Sequence, residues 1–566
     1  MKRGDLRGVR EILRAVGAAG INEYGKLGYT PLMYAVESSL ADVEMVRVLL
    51  DAGADVHQQQ SLAEGVARSA FTDLRNVVSL CLSGGDPGKL RVLIAAGADL
   101  LYKRSRGYDA LVDAAHGRDI VRDTRLLELL GVLVERGVAL DGETEFSETG
   151  LRVLANDGRF DAVGLLLDAG APEAQLAWTP LIRAAALGSL EDMRLAADDG
   201  DLEGRDFWKR TAYLIAIQMG DIAKAALLRE RGADAMARGR CGKPPLFYAI
   251  ENHRMQMLEW LLAQQEDVEQ TDDFGDTPLL TAIEAESPVA VSILLRAGAD
   301  VNAAKGGTSP IREAKTAEIA KLLLEAGADP GEISYEARRA LLGLPEADLD
   351  LLEVSAEEFQ AGWGQRFGAA NPERMENPFW LGMIRAGVTA YAGAAKFGRV
   401  QAQAPVWCAQ RFGQSLTWLP DGRVIQIGGE HEDFYDRDFC IYNDVFVHSA
   451  GGVEIYGYPE DVFPVTDFHT ATLMGDSIYV IGSLGYQGAR AYGTTPVFRL
   501  RVGIWEMERM EIAGECPGWI REHRAAALGP DQIGVTGGTV VVLDGSEKHV
   551  GNERTFVLDV KRRVWY

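Results

Sequence analysis

Five carboxylates fall within nine consecutive residues of this chain: Glu430, Glu432, Asp433, Asp436 and Asp438, interleaved with His431, Phe434, Tyr435 and Arg437. Oxygen donors at that density are what a hard cation such as calcium requires. The spacing departs from an EF-hand loop, whose sixth position is glycine; here that position is Tyr435. The same composition suits a solvated acidic edge. It also suits a protein-binding loop anchored on Phe434 and Tyr435, because aromatic side chains carry much interface energy. Taken as an interface, the loop presents Glu430, Glu432, Asp433, Phe434, Tyr435 and Asp436 to a partner.

His469 and His523 stand 54 residues apart, in Asp467-Phe468-His469-Thr470-Ala471 and Arg521-Glu522-His523-Arg524-Ala525. His431 lies in a loop with no nucleophile beside it. The chain has no Gly-x-Ser-x-Gly, Walker A or His-Glu-x-x-His pattern. These residues therefore assign no catalytic group, no metal ligand and no cofactor, and the expectation is a protein that is not an enzyme.

The elements that position such residues are repetitive. Gly-Ala-Asp recurs at Gly53, Gly97, Gly232, Gly298 and Gly327, each time after an apolar run such as Ile293-Leu294-Leu295. Thr-Pro-Leu stands at Thr30, Thr179 and Thr277, with weaker versions at Thr211 and Pro244. Thr179, Thr211, Pro244 and Thr277 are spaced by 32, 33 and 33 residues. Self-similarity at that period marks stacked helix pairs. Proline fits the first position of a helix, where its missing N–H costs nothing, and glycine ends a helix in the left-handed conformation. Residues 1–330 thus resemble the ankyrin repeat. The resemblance implies an α solenoid of nine or ten units that binds proteins. Its first unit keeps only a second helix, about eleven residues are inserted near 58–75, and a longer loop lies near 117–125. At the hairpin tips packing does not dictate the residue, and these positions hold Tyr29, Trp178, Phe207, Trp208 and Phe274. They either stack on neighbouring units or form an apolar stripe for partner capture.

After residue 331 the repeat stops. Residues 331–406 read as a helical connector, with helices over 333–352, 356–367 and 381–397. From 407 to 566 the pattern becomes strands in three units. Gly428-Gly429, Gly482-Ser483 and Gly537-Gly538 each follow an apolar strand, with first glycines 54 and 55 residues apart. This resembles the kelch repeat, a blade of about 50 residues. The resemblance implies an all-β, kelch-like blade array, a partial or atypical β-propeller, since closed propellers have four or more blades. It also implies that His469 and His523 are structural residues at strand starts. Kelch-fold oxidases carry copper and a cross-linked Tyr–Cys pair; Cys440 and Tyr442 lie close in sequence, but no set of metal ligands accompanies them. Loops 430–442, 484–495 and 539–553 begin at the same place in each unit and are expected on one face. That adds Tyr486 and Arg490 to the partner-binding set.

Formal net charge is −25 over 566 residues. That argues against nucleic acid or an anionic membrane as partner and suits a basic protein. No apolar run reaches the length of a membrane span, and none follows Met1-Lys2-Arg3 as a secretory leader would. The five cysteines include no close pair, as in a reducing cytoplasm. The expected function is a protein–protein interaction scaffold. Two alternatives stand beside it: a toxin-neutralising binder, and a metal-dependent enzyme at the blade loops. Open blade edges also permit a homodimer.

Overall fold

Thr-Pro opens helices because each residue meets a different need of the first turn. The computed structural model describes residues 5–16, 20–25, 28–62, 73–118, 123–303, 309–328, 332–399, 404–431 and 439–566. In it Thr30, Thr179, Thr211 and Thr277 are N-caps whose hydroxyls accept the backbone N–H of Met33, Ile182, Leu214 and Leu280 at 3.4, 3.2, 3.4 and 3.2 Å. Each threonine so satisfies one of the donors that a helix start leaves without a partner.

Gly-Ala-Asp is a stop signal in three parts. Gly53, Gly97, Gly232, Gly298 and Gly327 hold φ of +91°, +88°, +91°, +94° and +96°, which glycine adopts without strain. The alanine N–H then reaches back to close the helix, as from Ala54 to Leu49 O at 3.0 Å and from Ala328 to Leu323 O at 2.9 Å. The aspartate turns the chain outward: Asp55, Asp99, Asp234 and Asp300 each accept the N–H two residues on, at 2.8–2.9 Å. Such Asx turns replace backbone turns.

The chain forms two compact units, Met1–Ala285 with Arg296–Gly298, and Glu286–Leu295 with Ala299–Tyr566. Among the described residues, a single helix Leu6–Val16 precedes nine helix pairs, from Pro31–Glu37 with Val43–Asp51 to Pro310–Glu313 with Ala317–Glu325. First helices stack on first helices in the first unit, as Pro31–Glu37 on Val77–Gly84 and Ala212–Met219 on Pro245–Glu251. The interior is apolar: Met33, Ala35, Leu80, Leu133, Ile215 and Leu258 are fully buried. Stems of the insertion near 58–75 pair through Gln60 N–H and Arg75 O at 2.7 Å; its residues 63–72, and 119–122 of the longer loop, lie outside the described residues.

In the second unit the connector is more broken than its apolar pattern suggests. Instead of one helix over 333–352 there are Tyr335–Leu341 and a short 3-10 turn, Leu349–Leu351, with Pro345 between them. The stretch 381–397 divides into Pro378–Ala386 and Ala390–Lys396. The break is Gly387, at φ +66°, where a Cβ would lie 2.2 Å from the Arg339 guanidinium carbon. That buried guanidinium donates to Ile384 O at 2.8 Å and Arg385 O at 2.8 Å, so it caps the helix that the glycine ends. Phe359, Phe379, Trp380, Met383 and Trp407 form a core with Cys440, Tyr442, Phe446 and Ile455 of the β region. Trp380 and Trp407 stack 4.8 Å apart, 6° from parallel.

Three antiparallel meanders follow. The first sheet runs Ser415–Trp418, Val424–Ile427, Val445–Ser449 and Gly452–Gly457, and the connector strand Glu373–Arg374 extends it. The second runs Thr470–Met474, Ser477–Ile481, Val497–Arg501 and Met507–Arg509. The third runs Arg524–Gly529, Gln532–Thr536, Phe556–Asp559 and Val564–Trp565, with Ala513–Gly514 added in parallel to the last. Stretch 539–553 is not a loop: Thr539–Asp544 and Ser546–Gly551 form a hairpin on Trp519–Arg521. One apolar core joins the first and second sheets through Ile425, Val447, Ile478 and Leu500; another joins the second and third through Ile481, Val497, Ile533 and Leu558. Among the described residues the sheets do not close into a ring or barrel.

Candidate functional site

The hairpin tips of the first unit are tied to one another by backbone. Glu145 N–H donates to Arg106 O at 2.9 Å, Phe207 to Leu176 O at 3.0 Å, Arg240 to Trp208 O at 3.1 Å and Asp273 to Cys241 O at 2.9 Å. Arginines repeat the tie with side chains. Arg205 Nη1 donates to Lys209 O and to Arg238 O of the next tip at 2.7 and 2.6 Å; Arg238 does the same to Gly242 O and Thr271 O at 2.9 and 2.6 Å.

On this ladder the tip aromatics differ in role. Trp208 is 9% exposed, and its Nε1 donates to Arg152 O at 2.8 Å. It is a packing residue, not a free anchor. Phe207 meets it edge-on at 5.0 Å and carries the Arg152 guanidinium 3.9 Å above its ring. Trp178 is half-buried against Phe160 at 6.2 Å, with its indole N–H buried and unpartnered. Tyr29 is half-buried against Tyr34 at 5.1 Å. Phe274 stands free at 75% exposure. Exposed Phe146 also sits at a tip, in a unit that no Thr-Pro triplet marks, and exposed Leu101 and Met236 stand two residues after the aspartate of Gly-Ala-Asp. Stacking of Arg106 on Phe146 and of Arg240 on Trp208, at 5.2 and 4.7 Å, was legible only as an arginine one repeat away from an aromatic.

In the β region Glu430 begins a two-residue ladder, Glu430–His431 with Cys440–Ile441, at the base of the acidic loop. Glu432, Asp433, Phe434, Tyr435 and Asp436 lie outside the described residues. Tyr486 joins this base to the next loop: its hydroxyl accepts Ile441 N–H at 3.0 Å and its ring meets Phe439 at 5.7 Å. Arg490 is enclosed by Leu484 O at 2.9 Å, Gly485 O at 3.0 Å and the Glu547 carboxylate. Tyr492 donates to the same carboxylate at 2.7 Å. The structure thus brings Tyr486 and Arg490 into one run of contacts from 430 to 547, with Arg490 used as an internal brace. Asp467, which sequence reasoning passed over, anchors the run. It is fully buried, and its Oδ1 accepts Gly485 N–H at 2.6 Å, Leu484 N–H at 3.0 Å and Ser483 Oγ–H at 3.2 Å. Burial raises its carboxyl pKa. The serine in place of the second glycine has this partner.

The repeated histidines bridge sheets. Ser415 Oγ lies 2.8 Å from His469 Nε2, and Thr470 Oγ1 lies 2.8 Å from His523 Nε2. Burial, then the neighbouring His523, lowers the His469 pKa to about 3, and burial lowers that of His523 to about 4. Both rings are neutral at physiological pH. A cavity of about 760 Å³ lies beside them, lined by Ser415, Phe468, Thr470, Glu522, Arg524 and Glu332 among others. His431 is a core residue as well. Its Nδ1 lies 2.7 Å from the Tyr442 hydroxyl, and burial followed by the Arg411 charge lowers its pKa to about 4. Arg411 lies 3.5 Å over the Tyr442 ring and pairs with buried Asp444. Burial pushes the Cys440 thiol up to about 12, so it is protonated rather than nucleophilic. Among the described residues no three His, Cys, Asp or Glu side chains converge as a metal site, and no helix is long and apolar enough to cross a membrane.

Ankyrin-repeat family models match residues 27–61, and residues 246–333 as three copies. An ankyrin repeat and KH domain-containing protein of Caenorhabditis briggsae is 28% identical over 319 residues, 53% of this chain and 10% of that protein. The B-cell lymphoma 3 protein homolog of Mus musculus is 35% identical over 101 residues, 18% of this chain and 22% of its own length. This chain therefore spans about a tenth and about a fifth of these two relatives. The helical region contains ankyrin repeats. Both family matches end at or before residue 333, so the kelch resemblance of the later sheets draws no support from them.

Proposed function

From the ankyrin repeats in the helical region, we propose that this chain is a non-enzymatic scaffold that holds protein partners. The contacts are the exposed side chains of the repeat tips and the loops 430–442 and 484–495 of the β region. The observation that carries the reading is the division of labour at the tips. Backbone and arginine hydrogen bonds fix the ladder from unit to unit, while Phe207 and Phe274 remain 36% and 75% exposed. A rigid frame with outward aromatics costs little entropy on binding, and such side chains dominate interface energies. The acidic character of the chain, −25 in net charge, favours a basic partner through steering of encounter.

We read the three meanders as kelch-like blades. Their successive strand order and repeated glycines support that reading, and the inter-sheet histidines fit a structural place in it. The edge strand Arg524–Gly529 carries a β-bulge between Ala527 and Gly529, a device that discourages strand pairing between copies, so the scaffold reading does not invoke a homodimer.

The test starts from a partner captured by the full chain and identified by mass spectrometry. Its affinity is then measured for Phe274→Ala with Phe207→Ala, and separately for Trp208→Ala. The double variant should weaken binding roughly tenfold or more with little change in melting temperature. Trp208→Ala should lower stability by about 3–5 kcal/mol, as removal of a buried aromatic does. Unchanged affinity in the double variant, and in a variant of loop 484–495, would remove the scaffold surface proposed.

A further inference from the structure

The tip position three residues before the helix N-cap holds Asp73, Arg106, Phe146, Leu176, Trp208, Cys241 and Phe274 in the described units up to Thr277. Where an aromatic occurs there or next to it, this chain usually lays a guanidinium on the ring. Arg106 covers Phe146 at 5.2 Å, Arg152 covers Phe207 at 3.9 Å, and Arg240 covers Trp208 at 4.7 Å. Phe274 breaks the pattern. It is 75% exposed, and among the described residues no cation stands over it. The backbone beneath is fixed: Asp272 Oδ1 accepts Phe274 N–H at 2.9 Å and Asp276 N–H at 3.0 Å, and Asp273 N–H is tied to Cys241 O at 2.9 Å. The ring is therefore held outward on a stiff turn, next to the exposed Asp273 carboxylate.

We infer that Phe274 is the receiving ring for an arginine of a basic segment in a protein partner. The guanidinium would stack on Phe274 as Arg106 stacks on Phe146, and its edge would hydrogen-bond to Asp273. Arginine fits better than lysine because its flat cation can stack and hydrogen-bond a carboxylate at once, whereas an ammonium acts as a point charge. The local charge agrees: Asp267 and Asp273 are exposed on this stretch, while the Glu266 side chain is buried against Arg229 and Asp272 serves the turn itself. This inference rests on the protein-binding reading above and narrows it to the chemistry of the partner at one tip.

The experiment uses the full chain and two fluorescein-labelled peptides of equal length and charge, one with three arginines and one with three lysines in a Gly-Ser background. Anisotropy titrations at low and moderate salt give both affinities. The wild-type chain should prefer the arginine peptide. Phe274→Ala should weaken the arginine peptide roughly fivefold, the size of an exposed cation–π contact, and erase the preference. Phe274→Trp, a better ring for cations, should keep or enlarge it. Asp273→Asn should weaken both peptides and flatten the salt dependence. Binding of neither peptide at low salt, or an arginine-to-lysine ratio that Phe274→Ala leaves unchanged, overturns the inference. Neither result touches the scaffold reading, which stands or falls on the captured partner; an arginine preference lost in Phe274→Ala supports the inference whatever that partner is. The exposure of Phe274 makes misfolding of the variants a small risk, and the tryptophan variant retains a preference that misfolding would abolish.

Discussion

Gly482 and Gly537 hold equivalent places at the end of the second strand of successive sheets, both at positive φ, +78° and +63°. Their surroundings differ. A Cβ on Gly482 would lie 2.4 Å from Ile520 O and 2.7 Å from His523 Cε1, in the segment leading into the third sheet, whereas one on Gly537 meets nothing within 4 Å. Alanine at either site bears the left-handed backbone cost, about 1–2 kcal/mol. Only at Gly482 must the neighbouring backbone and the His523 bridge also move, adding about 1–3 kcal/mol as overpacking does. The second unit holds Trp363, Trp380, Trp407, Trp418, Trp505, Trp519 and Trp565, so tryptophan fluorescence on heating reports mainly that unit. Gly482→Ala should melt about 2–12 °C below Gly537→Ala at the conversion expected for a unit of this size. Equal melting temperatures, or the reverse order, would refute the claim that the glycine admits the next sheet and leave only its backbone conformation as the reason for it.

Two further outcomes follow from buried cations and rings. Burial, with Arg411 for the first, lowers the pKa of His431 and His448 to about 4, as it does for His523, and His469 lies at about 3. Unfolded histidine titrates near ~6.5. The neutral rings stabilise the fold fully above that pH, and this contribution is lost as pH falls through 6.5 toward the folded values. Melting temperature should therefore be flat above roughly pH 7 and decline from roughly 6.5 to 4, less steeply in His448→Gln; a rise on acidification would contradict the assignment. In the first unit Lys89 Nζ donates to Ala35 O and Ser38 O at 3.0 and 2.7 Å, and Lys224 Nζ to Ala185 O and Gly188 O at 2.9 and 2.8 Å. Each lysine caps the end of a neighbouring helix, so Lys89→Met and Lys224→Met should each cost about 1–3 kcal/mol, read as a lower urea midpoint with unchanged slope; an unchanged midpoint would show the carbonyls satisfied otherwise.

What the sequence made legible is what local chemistry decides. Gly-Ala-Asp and Thr-Pro work within a few residues of themselves, through a left-handed glycine, an Asx turn and a threonine cap, so their recurrence located the helix pairs. The lysine caps were not legible, because Lys89 reaches Ser38 and Lys224 reaches Gly188 across the stack rather than along it. In the connector, apolar spacing suggested helices longer than those formed, since it records which side faces the core but not that a guanidinium from Arg339 sits where Gly387 lacks a side chain. At the tips, residue type marked the aromatics but not their exposure: Trp208 and Phe274 look alike in sequence, and only the former has an arginine and a carbonyl waiting for it.

The third sheet shows how far repetition alone determines structure. In the first two, the hydroxyl that opens the first strand, Ser415 or Thr470, meets the histidine just before the next sheet, and the first glycine makes room for a carbonyl of the segment leading into that sheet, Thr466 O at Gly428 and Ile520 O at Gly482. The third sheet keeps the glycine, Gly537, because its positive φ of +63° is needed whatever lies beyond. It does not keep the hydroxyl: Arg524 takes that place, and the strand it opens carries a bulge. A residue required by its own backbone is retained, while one required by a neighbour is replaced where no such neighbour stands among the described residues. A charged residue and a bulge on an edge strand both resist further pairing. The histidine bridges thus take part in the packing between the three sheets.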